Sequence, residues 1–424
     1  MKRIDLTIKA LSPLAIGKQK HGGSISEVEN YIPGSVIRGA IAAQILQESN
    51  QKNTNFTEND GDFYSLFLSD NPAIFHNAYP AVAKIGESYQ TVSNDIRVLP
   101  ATAVSSKAEP GFKSEDKKRG GVFDTLIDRF CAEAHHHPYD PNCPKDGGRV
   151  EPFSGFYTQD NDEYCSCSVS SRFLTRVGIN RQRATAEDDI LYSIEVLNES
   201  FAQNPKNRNK NWEQVTYRSA ILVPDAELGD RLKAFIESHT FRLGGSASRG
   251  LGKVEIRAND DKIVEAVDLR LEDFNRELEK QWKRWSSVFG QTKDNRLSER
   301  TYFTLDLQSD AILIDNWRRT TVISESLLKQ FTGLQDPDLK LEVAYSSYDY
   351  CSGWNSAWGL MKDVELVTNK GAVYLFSVNK EREEEWIEAL EELELKGVGD
   401  RTCEGFGQVR ICDEFHLVFR PEAV

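Results

Sequence analysis

Nowhere in its 424 residues does the chain carry an apolar run approaching the roughly 18 to 20 residues that a membrane-spanning helix needs. Cysteine is scarce: seven residues, an odd count and unevenly spaced, which argues against the disulfide framework of a secreted domain. The opening MKRIDLTIKALSPLAIG breaks its apolar residues with charges and runs into polar sequence, so it reads as a strand and not as a secretory signal. These absences point to a reducing cytoplasm and to no membrane partner. An excess of positive charge is also missing. The net charge is −14, the opposite of what a uniformly basic nucleic-acid binder shows.

That charge is uneven. Residues 301–424 hold 12 Lys and Arg against 23 Asp and Glu, and Glu381, Glu383, Glu384, Glu385, Glu388, Glu391, Glu392 and Glu394 form one run. The run reads as a solvated helix face, and the first 300 residues keep enough cations for a local basic groove. What is present otherwise is the composition of a folded soluble protein, 39% apolar and 10% aromatic. The length implies two or three domains.

An internal repeat organises the chain. Gly250-Leu251-Gly252-Lys253-Val254-Glu255-Ile256 matches Gly405-Phe406-Gly407-Gln408-Val409-Arg410-Ile411 at an offset of 155. At the same offset the apolar strand Ala220–Val223 aligns with Leu375–Val378, and each is followed by an amphipathic helix. Leu228, Leu232, Phe235 and Ile236 mark the first helix, and Trp386, Ile387, Leu390 and Leu393 the second. Each copy opens on a strand of period two, Arg3–Ile8 and Tyr302–Leu307. The fold class is therefore α+β, with a β-α-β-β-α-β unit in each half. The boundary lies in the charged, helix-prone stretch near Asp268 to Arg300, where Trp282 and Trp285 would anchor it to a neighbour. The excess length of the first half, about 51–173, reads as a large loop-rich insertion.

The stretch Leu243 to Val254 joins a helix to a strand through four glycines. Glycines turn the backbone through positive φ and leave N–H groups uncovered by side chains, and Gly244, Gly245, Ser246, Ser248, Arg249 and Lys253 together suit phosphate oxygens. It is neither a Walker loop nor a dinucleotide fingerprint, since its order is helix to strand. A tight connection without ligand is the other reading. The second loop, Gly397 to Gly407, keeps the glycines but places Glu404 where the first has Arg249, so it reads as structural or as a contact to a protein neighbour.

The pattern GG-x-x-S-R-G-x-G-x-V closing such a unit resembles the glycine-rich loop of the RAMP superfamily of CRISPR-associated RNA-binding proteins. Leu11–Gly17 is similar to the superfamily's opening, and Tyr31-Ile32-Pro33-Gly34-Ser35-Val36-Ile37-Arg38-Gly39-Ala40 to its helix-starting motif, whose arginine reaches RNA or the core. Val177–Arg181, Leu191–Ser193, Pro152–Tyr157, Ser352–Asn355 and Trp358–Leu360 resemble the large two-domain RAMP subunit of type III-D effectors (the Csx-ten family). The resemblance implies two tandem ferredoxin-like (RRM-like) domains, 1–265 and 300–424, joined by a helical linker at 266–299. It implies a subunit that holds guide RNA, caps its 5′ tag end, abuts the backbone RAMP subunits and the large subunit, and meets target RNA indirectly.

Arginine suits such a role, because its planar fork matches phosphate and stacks on bases. Arg38, Arg172, Arg176, Arg181, Arg183, Arg249 and Lys253 lie within or beside these motifs. Between Arg172 and Arg183 there is no acid; Asp162 and Glu163 come before and Glu187 after. Lys18 and His21, in the loop after the first strand, complete the set of RNA-contacting candidates.

Cys131, His135, Cys143, Cys165 and Cys167 fall within 131–167, and their Cys-x3-His and Cys-x-Cys spacings can place ligands around one structural zinc, the alternative being no metal. The resemblance implies a Cys-Pro-x-Cys knuckle at 143–146, where Asp146 is either a replacement ligand or the mark of a decayed site. No cofactor is otherwise required. Two rival functions remain. One is an endoribonuclease using His21 as general base, or an aspartate among Asp116, Asp124 and Asp128. The other is a protein-interaction module using the acidic helix 381–395. The reading carried forward is a non-catalytic guide-RNA-binding subunit.

Overall fold

The computed structural model describes residues 1–18, 27–48, 61–113, 120–160, 163–180, 185–208, 210–260, 266–290, 296–355 and 359–424. The period-two reading of the first strand holds. In Lys2–Ala10 the side chains of Ile4, Leu6, Ile8 and Ala10 are buried, while Arg3, Asp5, Thr7 and Lys9 face the other way. This strand is central in an antiparallel sheet. Lys253–Asp260 flanks it on one side and Thr216–Val223 on the other, and Ile74–Phe75 and Tyr79–Pro80 pair onto the outer edge of Thr216–Val223. Helices Gly34–Glu48 and Ala226–Ser238 cover the apolar face, through Ile37, Ile41, Leu228, Leu232 and Ile236. Asp225 starts the second of these helices by accepting from the Leu228 N–H at 2.7 Å.

The second half repeats the plan. Arg300–Leu307 lies between Val409–Ile411 and Val373–Asn379, with Lys340–Tyr345 outermost. Helices Glu325–Thr332 and Glu383–Lys396 bury Leu327, Leu328, Trp386, Leu390 and Leu393. In both halves the chain order is strand, helix, strand, strand, helix, strand, and the order in space is fourth, first, third, second. Each half also carries a long two-stranded hairpin between its second and third strands. These are Ser171–Asn180 with Thr185–Leu197, and Tyr348–Asn355 with Leu360–Thr368.

Three features differ from the reading of the sequence. Residues 74–80 belong to the edge of the first sheet. Among the described residues the rest of the insertion forms a five-stranded sheet around Glu163–Cys167 and a three-stranded sheet around Ala103–Ser106. The helix Val267–Phe289 packs into the second core, because Val267, Leu271, Phe274, Leu278 and Trp282 recur every three or four residues on one face. Trp282 and Trp285 are held within this chain. Trp282 packs against Phe130 and His135, and Trp285 Nε1 donates to Asp128 at 3.2 Å.

Residues 415–424 close onto the insertion. Phe415, Val418 and Ala423 share a core with Leu99, Phe112, Phe123 and Tyr157, and Val122 and Val424 exchange backbone hydrogen bonds at 2.7 and 2.9 Å. Beside them the fully buried His416 ring sits between Asp306 Oδ1 at 2.9 Å and Asp124 Oδ2 at 3.3 Å. Burial works against its charge, but the two carboxylates outweigh it and hold the imidazolium well above the ordinary histidine range. Among the described residues no helix is long and apolar enough to cross a membrane.

Candidate nucleic-acid interface

The first glycine-rich loop is closed by its own backbone. Leu243 N–H donates to Gly252 O at 2.8 Å, Arg249 N–H to Ser246 O at 2.9 Å and Gly250 N–H to Ala247 O at 3.2 Å. The loop is also fastened to the segment after the first strand. Gly245 N–H donates to Ala15 O at 2.8 Å, Gly252 N–H to Pro13 O at 2.9 Å and Lys253 N–H to Ser12 Oγ at 2.8 Å. The predicted cradle of free amides is thereby corrected, since these donors already have protein acceptors. The glycines serve close approach instead. A Cβ on Gly244 would stand 2.5 Å from Ala15 O and one on Gly252 2.4 Å from Leu243 O, both at positive φ. What faces solvent is the outer arc at 246–250, where the side chains of Ser248 and Arg249 are exposed.

The second loop repeats this network at the same offset of 155. Val398 N–H donates to Gly407 O, Asp400 N–H to Ile312 O, Gly407 N–H to Asp310 O and Gln408 N–H to Ser309 Oγ, all at 2.8 to 2.9 Å. Ser246 and Arg401 occupy the same left-handed conformation. The second loop does not face solvent as the first does. Gly405 is seated against Asn77 and Phe75 of the first half, and Asn77 Oδ1 accepts from the Gly34 N–H at 2.8 Å. Glu404 pairs with Arg401 and Lys362, and these cations hold its carboxyl below the usual range although burial acts against them. Where the first loop has Arg249 the second has a carboxylate, and there the loop is a joint between halves.

Arg249 reaches across to the first long hairpin. Its guanidinium donates to the Tyr192 hydroxyl at 2.6 Å and lies 5.7 Å from the ring centre. Tyr192 is directly opposite Arg176 on the paired strand, and Arg176 Nε is buried without a partner. A tyrosine ring against one guanidinium and cross-strand from a second arginine can stack on a base while the arginines meet its phosphates. Arg172 lies further down the hairpin, bound to Glu199 at 2.8 Å and Asn198 Oδ1 at 2.6 Å. Lys253 is exposed on the open face of the sheet, opposite Arg242. Lys18 pairs with Glu27 at 2.8 Å and, with Lys370, lines a cleft of about 560 Å³ between the halves, where Glu29, Asp310, Asp349 and Glu404 outnumber the two cations. So acidic a cleft opposes phosphate. Arg38 faces the protein: it donates to Phe67 O at 2.7 Å and packs on that ring. His21, Arg181 and Arg183 lie outside the described residues.

Tyr192 was present in the sequence as part of a motif, but only the fold places it under Arg249. Arg218 and Arg257 were missed altogether. They share the open face with Thr7, and the alternation of Arg3, Asp5, Thr7 and Lys9 was the signal for that face. Arg218 donates to Thr7 Oγ1 at 2.6 Å and to Ser93 O at 2.7 Å.

The five zinc candidates are not brought together, which corrects that grouping. Among the described residues no three His, Cys, Asp or Glu side chains stand as a metal requires. Cys131 is in the core under the long helix, whereas Cys165 and Cys167 point into the five-stranded sheet's core with Tyr31 and Phe156. Burial pushes the Cys165 thiol up to about 11 and that of Cys167 to about 12, away from the thiolate a metal binds. Cys143 Sγ faces Gly120 O, and Asp146 accepts from the Gly148 N–H at 2.8 Å. His135 is bonded to Cys131 O at 2.7 Å and to Ser286 Oγ at 3.1 Å.

Of the other described histidines His136 is exposed, while the candidate aspartates Asp124 and Asp128 are engaged. His137 packs against Phe289 with the rings tilted, His239 stacks on Phe235, and burial pushes His76 down to about 3. Asp124 is buried, accepting from Thr102 and Leu126, and Asp128 holds Trp285. Asp116 lies outside the described residues. The acidic helix lays Trp386, Leu390 and Leu393 on the second sheet, and its Glu394 pairs with Arg270 at 2.7 Å.

The family model described as the RAMP superfamily matches residues 7–255. No curated protein sequence matches the chain. Among solved structures, a chain of the type III-B Cmr-beta complex bound to cognate target RNA and AMPPnP is 12% identical with a TM-score of 0.40, over 88% of this chain and 86% of that one. Oligomeric Cmr4 from Pyrococcus furiosus is 11% identical with a TM-score of 0.24, over 61% of this chain and 99% of that one. A Cas6 product complex is 16% identical with a TM-score of 0.28, over 48% of this chain and 79% of that one.

Proposed function

The chain belongs to the RAMP superfamily, and we propose that it is a guide-RNA-binding structural subunit of a type III CRISPR effector ribonucleoprotein. Its two halves are read as tandem ferredoxin-like domains, since each has the strand order fourth, first, third, second. The finer role, capping the 5′ tag end in a type III-D assembly beside backbone and large subunits, rests on the motifs in the sequence. The observation that carries the binding role is the cluster of Arg176, Tyr192 and Arg249. It joins the exposed arc of the first loop to the long hairpin and includes one buried, unpartnered guanidinium nitrogen. The reading is of a non-catalytic subunit: His135, His239 and His416 are each held by protein partners away from this cluster.

The test is binding of labelled guide RNA by wild type and by Arg176→Gln/Arg249→Gln. Removing two phosphate partners from a single strand should lower the slope of log affinity against log salt by about 1.4. Equal affinity of the two proteins at low and high salt would sink the reading, and shortened RNA products would replace it with a ribonuclease.

A further inference from the structure

Past Leu197, which pairs with Leu14 beside the first glycine loop, the chain forms a short hairpin of Ser200–Ala202 and Trp212–Gln214. The connection reads Asn204-Pro205-Lys206-Asn207-Arg208 and then Lys210-Asn211. From Asn204 to Trp212 there are three cations and no acid, in a chain whose net charge is −14. Every described residue of this tip is exposed. Trp212 is 60% exposed, with Lys210 Nζ 6.0 Å from its ring centre.

Backbone bonds join the described residues on either side of the tip. Gln203 N–H donates to Asn211 O at 2.9 Å and Asn207 N–H to Asn204 O at 3.1 Å. Tyr89 N–H donates to Gln203 O at 2.8 Å, and Lys206 pairs with Glu87, so the hairpin is tied to the insertion. Among the described residues Arg208 and Lys210 make no ion pair, so both charged heads are available. Arg208 and Lys210, gathered without a counter-charge, repel each other, and an exposed indole gains nothing from burial. Neither feature stabilises the free chain. Phosphates would neutralise the cations, a base would cover the indole, and the amides of Asn204 and Asn207 would meet base edges. An acidic protein face would answer only the cations.

We infer that Arg208, Lys210 and Trp212 of this hairpin form a second contact for single-stranded RNA, separate from the Arg176–Tyr192–Arg249 cluster. It rests on the RNA-binding reading above and extends the path of the bound strand toward the insertion. Arg208 and Lys210 hold successive phosphates and Trp212 stacks on a base.

The experiment uses the full chain and a fluorescein-labelled oligouridine, with anisotropy read at about 50 and 200 mM salt. Arg208→Gln/Lys210→Gln should lower the salt slope by about 1.4, and Trp212→Ala should weaken binding by roughly tenfold while Trp212→Phe retains most of it. Thermal melting should not change for any of the three, since the side chains are exposed. If wild type does not bind, both readings fall. If wild type binds, and Arg176→Gln/Arg249→Gln weakens it while the tip variants match wild type, only this inference is overturned. Unchanged RNA affinity with loss of a co-purifying protein subunit would assign the tip to protein and also overturn it.

Discussion

At position 252 glycine is obligatory, whereas at 250 it is a convenience. Both have φ near +85, but a Cβ on Gly252 would stand 2.4 Å from Leu243 O, and one on Gly250 would meet nothing within 4 Å. Gly250→Ala should therefore cost only the left-handed penalty, about 1 to 2 kcal/mol. Gly252→Ala should cost clearly more, because the backbone bond between Leu243 and Gly252 must open. Urea unfolding of the two variants measures the gap, and equal midpoints would contradict the close-approach account. At this scale the sequence was informative about which residues matter and misleading about why. The glycine string and Arg249 could be read directly. That the amides of Gly245 and Gly252 are closed on Ala15 and Pro13 could not, because a missing side chain does not say which atom comes close in its place.

Strands and helices were legible wherever one periodicity dominated. Ile4, Leu6 and Ile8 announce a half-buried strand, and Leu228, Leu232 and Ile236 a helix. The zinc grouping failed because nearness along the chain was taken for nearness in space. The helix Leu126–Ala134 carries Cys131 into one core, and alternation along Glu163–Cys167 turns both of its cysteines into another. The joint between halves was also out of reach. Asn77 is an unremarked residue in the sequence, yet it bridges the start of the helix Gly34–Glu48 to the second loop. Asn77→Ala should leave the buried Gly34 N–H without an acceptor and destabilise the protein by about 1 to 3 kcal/mol. Calorimetry would register this as a lower melting temperature. An unchanged value would mean that the joint does not depend on that bond.

Across the whole molecule, the insertion, the second sheet and residues 415–424 meet at His416. Its folded pKa lies above the unfolded value near 6.5, so the stabilisation is fully present below about pH 6.5 and is lost as pH rises toward the folded pKa. Wild type should therefore lose melting temperature on going from pH 6.5 into the alkaline range. His416→Gln should be destabilised at pH 6 by about 3 to 5 kcal/mol, since it strands two buried carboxylates, and should lack that alkaline decline. Parallel stability–pH curves for the two proteins would remove the imidazolium from the account.

The pairing of Val122 with Val424 also sets an order on biosynthesis. The ribosome delivers the first partner about 300 residues before the second, which at roughly 5 to 20 residues per second is a wait of about 15 to 60 s. During that interval the three-stranded sheet holds an edge that only later translation can cover, while the glycine loop and its hairpin, finished by residue 260, are already able to fold. A nascent chain thus completes the residues of the Arg176–Tyr192–Arg249 cluster before its own insertion is sealed.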